Sequence, residues 1–416
     1  MPIAPPAPLP RRILLADCDM FFVQVAMLED PHGVGRLDLV LVGGRAEERG
    51  VVTSASYGAR AFGVRSGMPT SQAVRLCPAA TVVPVPREAC SRRSRDVGAV
   101  LRRFAPVVEA ASIDEFYLDL SGTERLYGDE PLHDTALRIQ RAVSEEAGIV
   151  VSIGGGTQRT LAKMATRLAK PAGVHVVPAG EEQEFMLRWE LRDLPSVGPV
   201  LAEALRRRGV HTVREALRFD LKTLSLWIGE SRARWLHDRI RGVDPSPISA
   251  ESEVKSVSHE RTFAEDLHAE RPVERELLRL CAEVGVSLRK KQLRARTVTV
   301  KVRDADFRDR QASHTLPDAV ESDRAVHVVA RSLLRGLRER RRTGVRLLGV
   351  GLSRFDSGEG PEQGGFFPVE GAESERDRSL SRAADSIRER FGTQALLPGA
   401  IATLRGKAPP RKTEGS

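Results

Sequence analysis

The sequence predicts a multidomain α+β protein, and three observations carry that reading. At 416 residues the chain is longer than one compact core supports, so two to four domains are expected. Strand-like apolar runs alternate with helical patterns up to about residue 177, and residues 181–243 then read as helical throughout. From residue 256 strands return, now flanked by dense positive charge. Hydrophobic residues at 41% and charged residues at 29% are ordinary for a globular chain. The net charge of +9 and the pI of about 9.7 are not ordinary, and they point to a polyanionic partner. Composition leaves DNA, RNA and a membrane surface open, although no apolar run approaches bilayer length.

Residues 1–10 are Pro-rich and lack the charged and apolar regions of a signal peptide, so they read as a disordered leader. Cys18, Cys77, Cys90 and Cys281 show no metal or disulfide spacing, which predicts reduced thiols in a cytoplasmic protein. The run Ile13–Ala16 reads as a buried strand ending in Asp17 and Asp19. Carboxylates at i and i+2 share one side of a strand, an arrangement suited to a Mg²⁺-type ion that takes oxygen ligands. An Asp-rich turn fits the same residues. A second acidic spot at Ser112–Glu115, between two strand-like runs, favours the metal reading. There Asp114 and Glu115 reach one ion only if the backbone bends between the strands.

Phe21 to Val25 open a helix that stops before Pro31, and residues 37–42 form a short strand closed by Gly43 and Gly44. The next strand runs into a small-residue helix carrying Ser54, Tyr57 and Arg60, where a hydroxyl, a phenol and a guanidinium suit a triphosphate. A surface Arg beside a half-buried Tyr fits equally at this point. Residues 132–147 form an amphipathic helix, and residues 149–153 a strand broken by Gly154–Gly156. In the helix that follows, Lys163 and Lys170 lie near one face, and Pro171 ends it at about Lys170. Two lysines in one short helix of an Arg-rich chain suggest phosphate binding. Gly198 sits in a turn directly before a helix whose N–H groups face a phosphate, or in an ordinary helical hairpin. Residues 243–255 read as a linker. Beyond it Lys301, Arg303 and their basic neighbours suit a nucleic-acid backbone, and one amphipathic helix (Leu380, Ala383, Ala384, Ile387, Phe391) lies near the end.

The motifs LLADCDMFF (14–22), SYGARAFGVRSGMP (56–69), SIDEFYLDL (112–120) and LAKMATRLAKPAGV (161–174) resemble those of Y-family DNA polymerases of the DinB branch. LPSVGPVLAEAL (194–205), KSVSHERTF (255–263) and VRLLGVGLSRF (345–355) support the likeness, which spans roughly residues 11–356 in family order. It implies a right hand: a ferredoxin-like palm (11–20 and 85–177), small fingers (21–84), a helical thumb with a helix-hairpin-helix (178–242), the linker, an α+β little finger (256–356) and a flexible tail with a short helix (357–416). The implied activity is template-directed, error-prone translesion synthesis on primer-template DNA from dNTPs, by a monomer associated with the nucleoid. By the same likeness Asp17, Asp114, Glu115 and the Cys18 backbone carbonyl hold two Mg²⁺ ions about 3.5–4 Å apart. Ser54, Tyr57, Arg60 and Lys170 match triphosphate positions. Phe22 matches the steric gate, with Phe21 beside it. Lys163, Gly198, Lys255, Lys301 and Arg303 fall on the DNA side. Gln363, Phe366 and Phe367 form a degenerate peptide for the sliding clamp (β subunit), with Gly364 where an apolar residue is usual.

The chain departs from the family at Ala26 (usually Glu), at Gln158 (usually Asn), within Thr157–Thr160 and at Phe116, and Met20 lies beside the gate. None of these removes an implied metal ligand. Two rivals remain: a nonenzymatic family relative serving as an adaptor, which typically lacks the carboxylates, and a palm-type cyclase, which leaves Gly198 and the basic module without a purpose.

Overall fold

The computed structural model describes residues 10–251, 253–356, 373–392, 395–396 and 399. The chain divides into two compact units, Met1–Ser252 and Glu253–Ser416.

In the first unit every residue of β1 (Ile13–Cys18) is buried, as its unbroken apolar run requires. Met20, with φ of 38°, turns the chain sharply into α1 (Phe21–Glu29). There follow β2 (Val40–Gly43), β3 (Val52–Ala55), α2 (Tyr57–Ala61), α3 (Thr70–Leu76) and β4 (Thr81–Val83), a small sheet ordered β3-β2-β4 over Leu41, Val52, Ala59 and Val64. Next come α4 (Arg87–Leu101), β5 (Val107–Ala110), β6 (Glu115–Asp119), α5 (Leu132–Ala147), β7 (Val151–Gly156), α6 (Arg159–Ala169) and β8 (Val174–Val176). The main sheet is ordered β5-β6-β1-β7-β8. Numbering only β1, β5, β6 and β7, with α4 and α5 as crossovers, gives a β-α-β-β-α-β path in the ferredoxin-like order 4-1-3-2. Strand alternation sends Leu14, Ala16 and Cys18 into a core with Val97, Leu101, Ile139 and Val143 of α4 and α5. Ile13 and Leu15 face the other way, onto Tyr117, Ala162 of α6 and Ile248.

Gly154–Gly156 do not break the strand. They lie within β7: α6 crosses it at Gly154 too closely for a side chain, while a Cβ on Gly155 would meet Leu14 and Val176 of the flanking strands. A Cβ on Gly154 would stand 2.2 Å from both the Ala162 carbonyl oxygen and the Thr166 nitrogen. Gly154→Ala is therefore expected to destabilise the unit by about 3 kcal/mol, read from the urea midpoint. A loss below about 1 kcal/mol would show that α6 can shift.

Five helices, α7 (Glu182–Met186), α8 (Pro199–Arg206), α9 (Val213–Ala216), α10 (Leu221–Ile228) and α11 (Glu230–Arg239), close on Leu191, Leu205, Val213, Leu236 and Ile240. Residues 243–251 are not a free linker. Ile248 is buried against Ile13 and Leu15. Asp244 accepts from Thr160 N–H (3.1 Å) and Oγ1–H (2.7 Å) and pairs with Arg239 (2.7 Å). Ser249 N–H donates to Glu109, which Arg159 also grips with two 2.6 Å bonds. The strap is thus tied to the outer face of the main sheet.

The second unit runs β9 (Ser256–Leu267), α12 (Glu270–Arg289), β10 (Arg294–Asp304), β11 (Asp309–Val320), α13 (Asp323–Arg340), β12 (Val345–Asp356) and α14 (Glu375–Phe391). Its sheet order, β11-β10-β12-β9, puts the second and fourth strands at the centre, unlike the first unit. Val298, Val300, Leu348 and Leu352 meet α12 and α13 on one face. The other face is polar. The expected terminal helix is present as α14, but it docks by its polar side. Asp377 and Ser381 are buried and Arg289 pairs with Asp385 (2.7 Å), while Leu380, Ile387 and Phe391 point outward. Residues 1–9 of the leader, and Gln363, Phe366 and Phe367, lie outside the described residues.

Candidate active site

Antiparallel pairing of β1 with β6 sets Asp17 directly opposite Glu115. Cross-strand partners stand about 4.5–5.5 Å apart at Cβ, so two carboxylates there repel unless a cation lies between them. Two lysines supply the charge. Lys170 Nζ is 2.6 Å from Asp17 Oδ1. Lys163 Nζ bonds to Glu115 Oε1 and lies 3.8 Å from Asp17 Oδ2. Burial pushes the Asp17 carboxyl above its ordinary 3.8, Lys170 pulls against that, and the Glu115 charge adds to it.

Asp114 lies in the tight turn between β5 and β6, which supplies the expected bend. Its carboxylate accepts from Ser112 Oγ, and its carbonyl accepts from Cys18 N–H (2.9 Å), so the two acidic segments are joined through their backbones. The Cys18 thiol is buried in the core, which leaves only its backbone on the site side. Among the described residues no three carboxylate, thiol or imidazole groups close on one point. The assembled part is the Asp17–Glu115 pair.

Asp19 does not share the face of Asp17 as a second ligand. Its buried carboxylate accepts from Tyr57 O–H (3.0 Å), Ser152 Oγ–H (2.9 Å to each oxygen) and Ala172 N–H (2.7 Å). It ties α2, β7 and the turn after Lys170 to the end of β1, and this use of a motif carboxylate was not legible from its spacing. Gln24 extends the tie, exchanging hydrogen bonds with both backbone groups of Val150 (2.9 and 2.8 Å).

Ser54 lies on β3, not on the helix, and is buried. The helix is started by Ser56, whose Oγ accepts from Ala59 N–H (3.3 Å) and donates to Asp38 O (2.6 Å). A serine just before the helical run was the available signal for that cap. Arg60 stacks over the Tyr57 ring at 5.2 Å and donates to Ala55 O (2.9 Å), so phenol and guanidinium form one rigid group. Burial and the Asp19 charge hold the Tyr57 phenol well above its ordinary range, which keeps it a donor. Phe21 is 1% exposed, its ring packed in the core, while Phe22 is half-buried beside it.

Residues 16–167 match the impB/mucB/samB family, and residues 254–366 match its C-terminal domain. A DNA polymerase IV of Dehalococcoides mccartyi is 34% identical over 395 residues, covering 95% of this chain and 98% of that one. A DNA polymerase IV of Caulobacter vibrioides is 35% identical over 384 residues, with 92% of each chain covered. Among solved structures, the Y-family DNA polymerase chimera Dbh-Dpo4(243-245)-Dbh superposes with a TM-score of 0.74 at 26% identity, covering 82% of this chain and 98% of that one. The chain belongs to the Y-family of DNA polymerases, DinB type.

The first unit of this Y-family polymerase holds the main sheet, the small sheet and the helical cluster, and the second holds the four-stranded sheet of β9–β12. The open face of the second unit's sheet carries Thr297, Thr299, Lys301 and Arg303 between Gln311 and Ser313 on one side and Gly349 and Gly351 on the other. A groove of about 200 Å³ runs there over Ser256, Ser258, Glu260, Lys301, Gly349 and Gly351. The positive charge is less free than the sequence suggested. Lys301 pairs with Glu260 (3.1 Å) and Arg303 with Asp309 (2.5 Å). Arg310 and Arg341 share the wholly buried Asp304 (2.8 and 3.0 Å), and Arg338 pairs with Glu270 (2.9 Å). Lys255 is exposed just before β9, and Gly198 is exposed at the start of α8. Lys163, expected on the DNA side, has its ammonium against both Asp17 and Glu115.

Proposed function

We propose that this polymerase performs error-prone, translesion synthesis in DNA damage tolerance, adding dNMPs to a primer 3′-OH with two Mg²⁺ ions held by Asp17, Asp114, Glu115 and the Cys18 carbonyl. The observation that carries the reading is the register-matched Asp17–Glu115 pair, with Tyr57, Arg60 and Lys170 arranged beside it. Membership of the family brings a requirement for a divalent metal, and the donors fit one: hard oxygen ligands, with the only nearby thiol turned into the core. When bound, the ions acidify the 3′-OH and neutralise charge on the leaving pyrophosphate. Tyr57, Arg60 and Lys170 hold the triphosphate, Lys170 exchanging Asp17 for a phosphate. Phe22 walls off a 2′-OH. One solved relative is titled an insertion ternary complex of Dbh DNA polymerase (TM-score 0.58, 26% identity), which supports binding of primer-template and nucleotide by this chain. Retention of all three carboxylates argues against the adaptor reading. Primer extension with dNTPs and Mg²⁺ across undamaged and lesion-bearing templates tests the proposal. Tight DNA binding without metal-dependent extension would refute it.

The polar face of the little finger is assigned to the DNA backbone. Truncation after Ser252 is expected to weaken primer-template binding and to flatten its salt dependence, because fewer counterions are released. Equal affinity and slope with and without the module would remove that assignment. A monomer in the cytoplasm, recruited to the clamp through Gln363, Phe366 and Phe367, completes the proposal. Loss of clamp binding by a 360–370 peptide on changing both phenylalanines to Ala is the check on recruitment.

A further inference from the structure

Lys163 has no part in the chemistry just described, yet its ammonium lies against both facing carboxylates. It bonds to Glu115 Oε1 and lies 3.8 Å from Asp17 Oδ2, so it bridges the two oxygens that the β1–β6 register forces together. Its position is not that of a surface lysine swinging freely. Its side chain is 27% exposed, and the helix that carries it is pressed onto β7 at Gly154, where no Cβ fits. Asp17 is only 9% exposed at its side chain, so little water is available to screen the pair.

We propose that Lys163 is a resident counter-cation of the site. It bridges Asp17 and Glu115 when no metal is bound, competes with the divalent ion for those same oxygens, and is displaced when the ion enters. The proposal rests on the metal-site reading above and adds a consequence that reading lacks: the ligand carboxylates are held together but masked. The design has a clear benefit. Without a bridging charge, two carboxylates facing each other across β1 and β6 would push the strand ends apart. With it, the ligands keep their spacing at the cost of weaker metal binding. If the unmasked form is populated about a tenth of the time, apparent metal affinity falls about tenfold.

The test uses the full chain and Mn²⁺ alone, followed by electron paramagnetic resonance. Lys163→Met is expected to bind Mn²⁺ about tenfold more tightly. Its melting temperature should fall below wild type without metal and recover with saturating Mn²⁺, whereas a lysine needed only for packing would lower it in both conditions. A second measurement needs no variant: amine labelling of Lys163 in the wild-type protein, read by mass spectrometry, should rise with Mg²⁺ along the binding curve. Unchanged Mn²⁺ affinity in a folded Lys163→Met protein, or labelling of Lys163 that ignores Mg²⁺, overturns the proposal. Glu115→Gln separates the two levels of the argument. If it binds Mn²⁺ as well as wild type does, the metal-site reading itself fails, whatever Lys163 does.

Discussion

Asp17→Asn is expected to reduce Mg²⁺-dependent primer extension by at least about 10³-fold, some 4 kcal/mol of transition-state stabilisation, while primer-template affinity stays near wild type. The argument starts from cost. Asp17 is buried, faces a like charge in register and depends on two lysines for neutralisation. A carboxyl in that position is poor design for stability, so the amide should leave the melting temperature unchanged or raise it. Loss of activity with no loss of stability separates a working ligand from a structural residue.

The pH dependence supplies a second readout. Because the folded-state pKa of Asp17 lies above its ordinary 3.8, the folded chain binds more protons than the unfolded chain between the two values. This group's contribution to stability therefore falls as pH rises through that window. Asp17→Asn should remove the decline. Extension by the variant above about one hundredth of the wild-type rate would end the assignment.

Local chemistry made much of this fold legible. The apolar run into Asp17, the helix over residues 132–147 and the end of α6 at Lys170 each follow from a few neighbouring residues. What escaped depends on partners distant in sequence. Gly154–Gly156 look like a strand breaker until α6 is known to cross Gly154, and Leu14 and Val176 to crowd Gly155. Residues 243–251 look like a linker because Pro and Ser say nothing of Ile248 meeting Ile13, more than 200 positions away. The basic module looks uncompensated because Arg341 finds Asp304 across 37 residues and Arg289 finds Asp385 across 96. Asp19 shows the same limit inside the site. Its spacing from Asp17 suggests a second ligand, whereas three donors from three segments claim it for positioning. The sequence motif locates the catalytic region, and only the fold divides the labour within it.

Phe22→Ala is expected to raise the ratio of ribonucleotide to deoxyribonucleotide incorporation efficiency by about 10²–10³-fold, or about 3–4 kcal/mol of discrimination. A gate of this kind must be rigid, since a ring that can swing aside excludes nothing. Phe22 meets that condition. It is half-buried against residues of both the main-sheet core and the cluster of α1 with β2, and Phe21 meets it edge to face with centroids 5.5 Å apart and planes at 71°. The same geometry predicts opposite behaviour for the neighbouring ring. Phe21 is buried in the main-sheet core, so Phe21→Ala should cost about 3–5 kcal/mol of stability and leave sugar selection intact. Single-nucleotide incorporation with matched rNTP and dNTP, alongside denaturant melts of both variants, measures the pair of effects. An unchanged ratio in a stable Phe22→Ala protein would mean that the 2′-OH is excluded by backbone near Met20 and not by this ring.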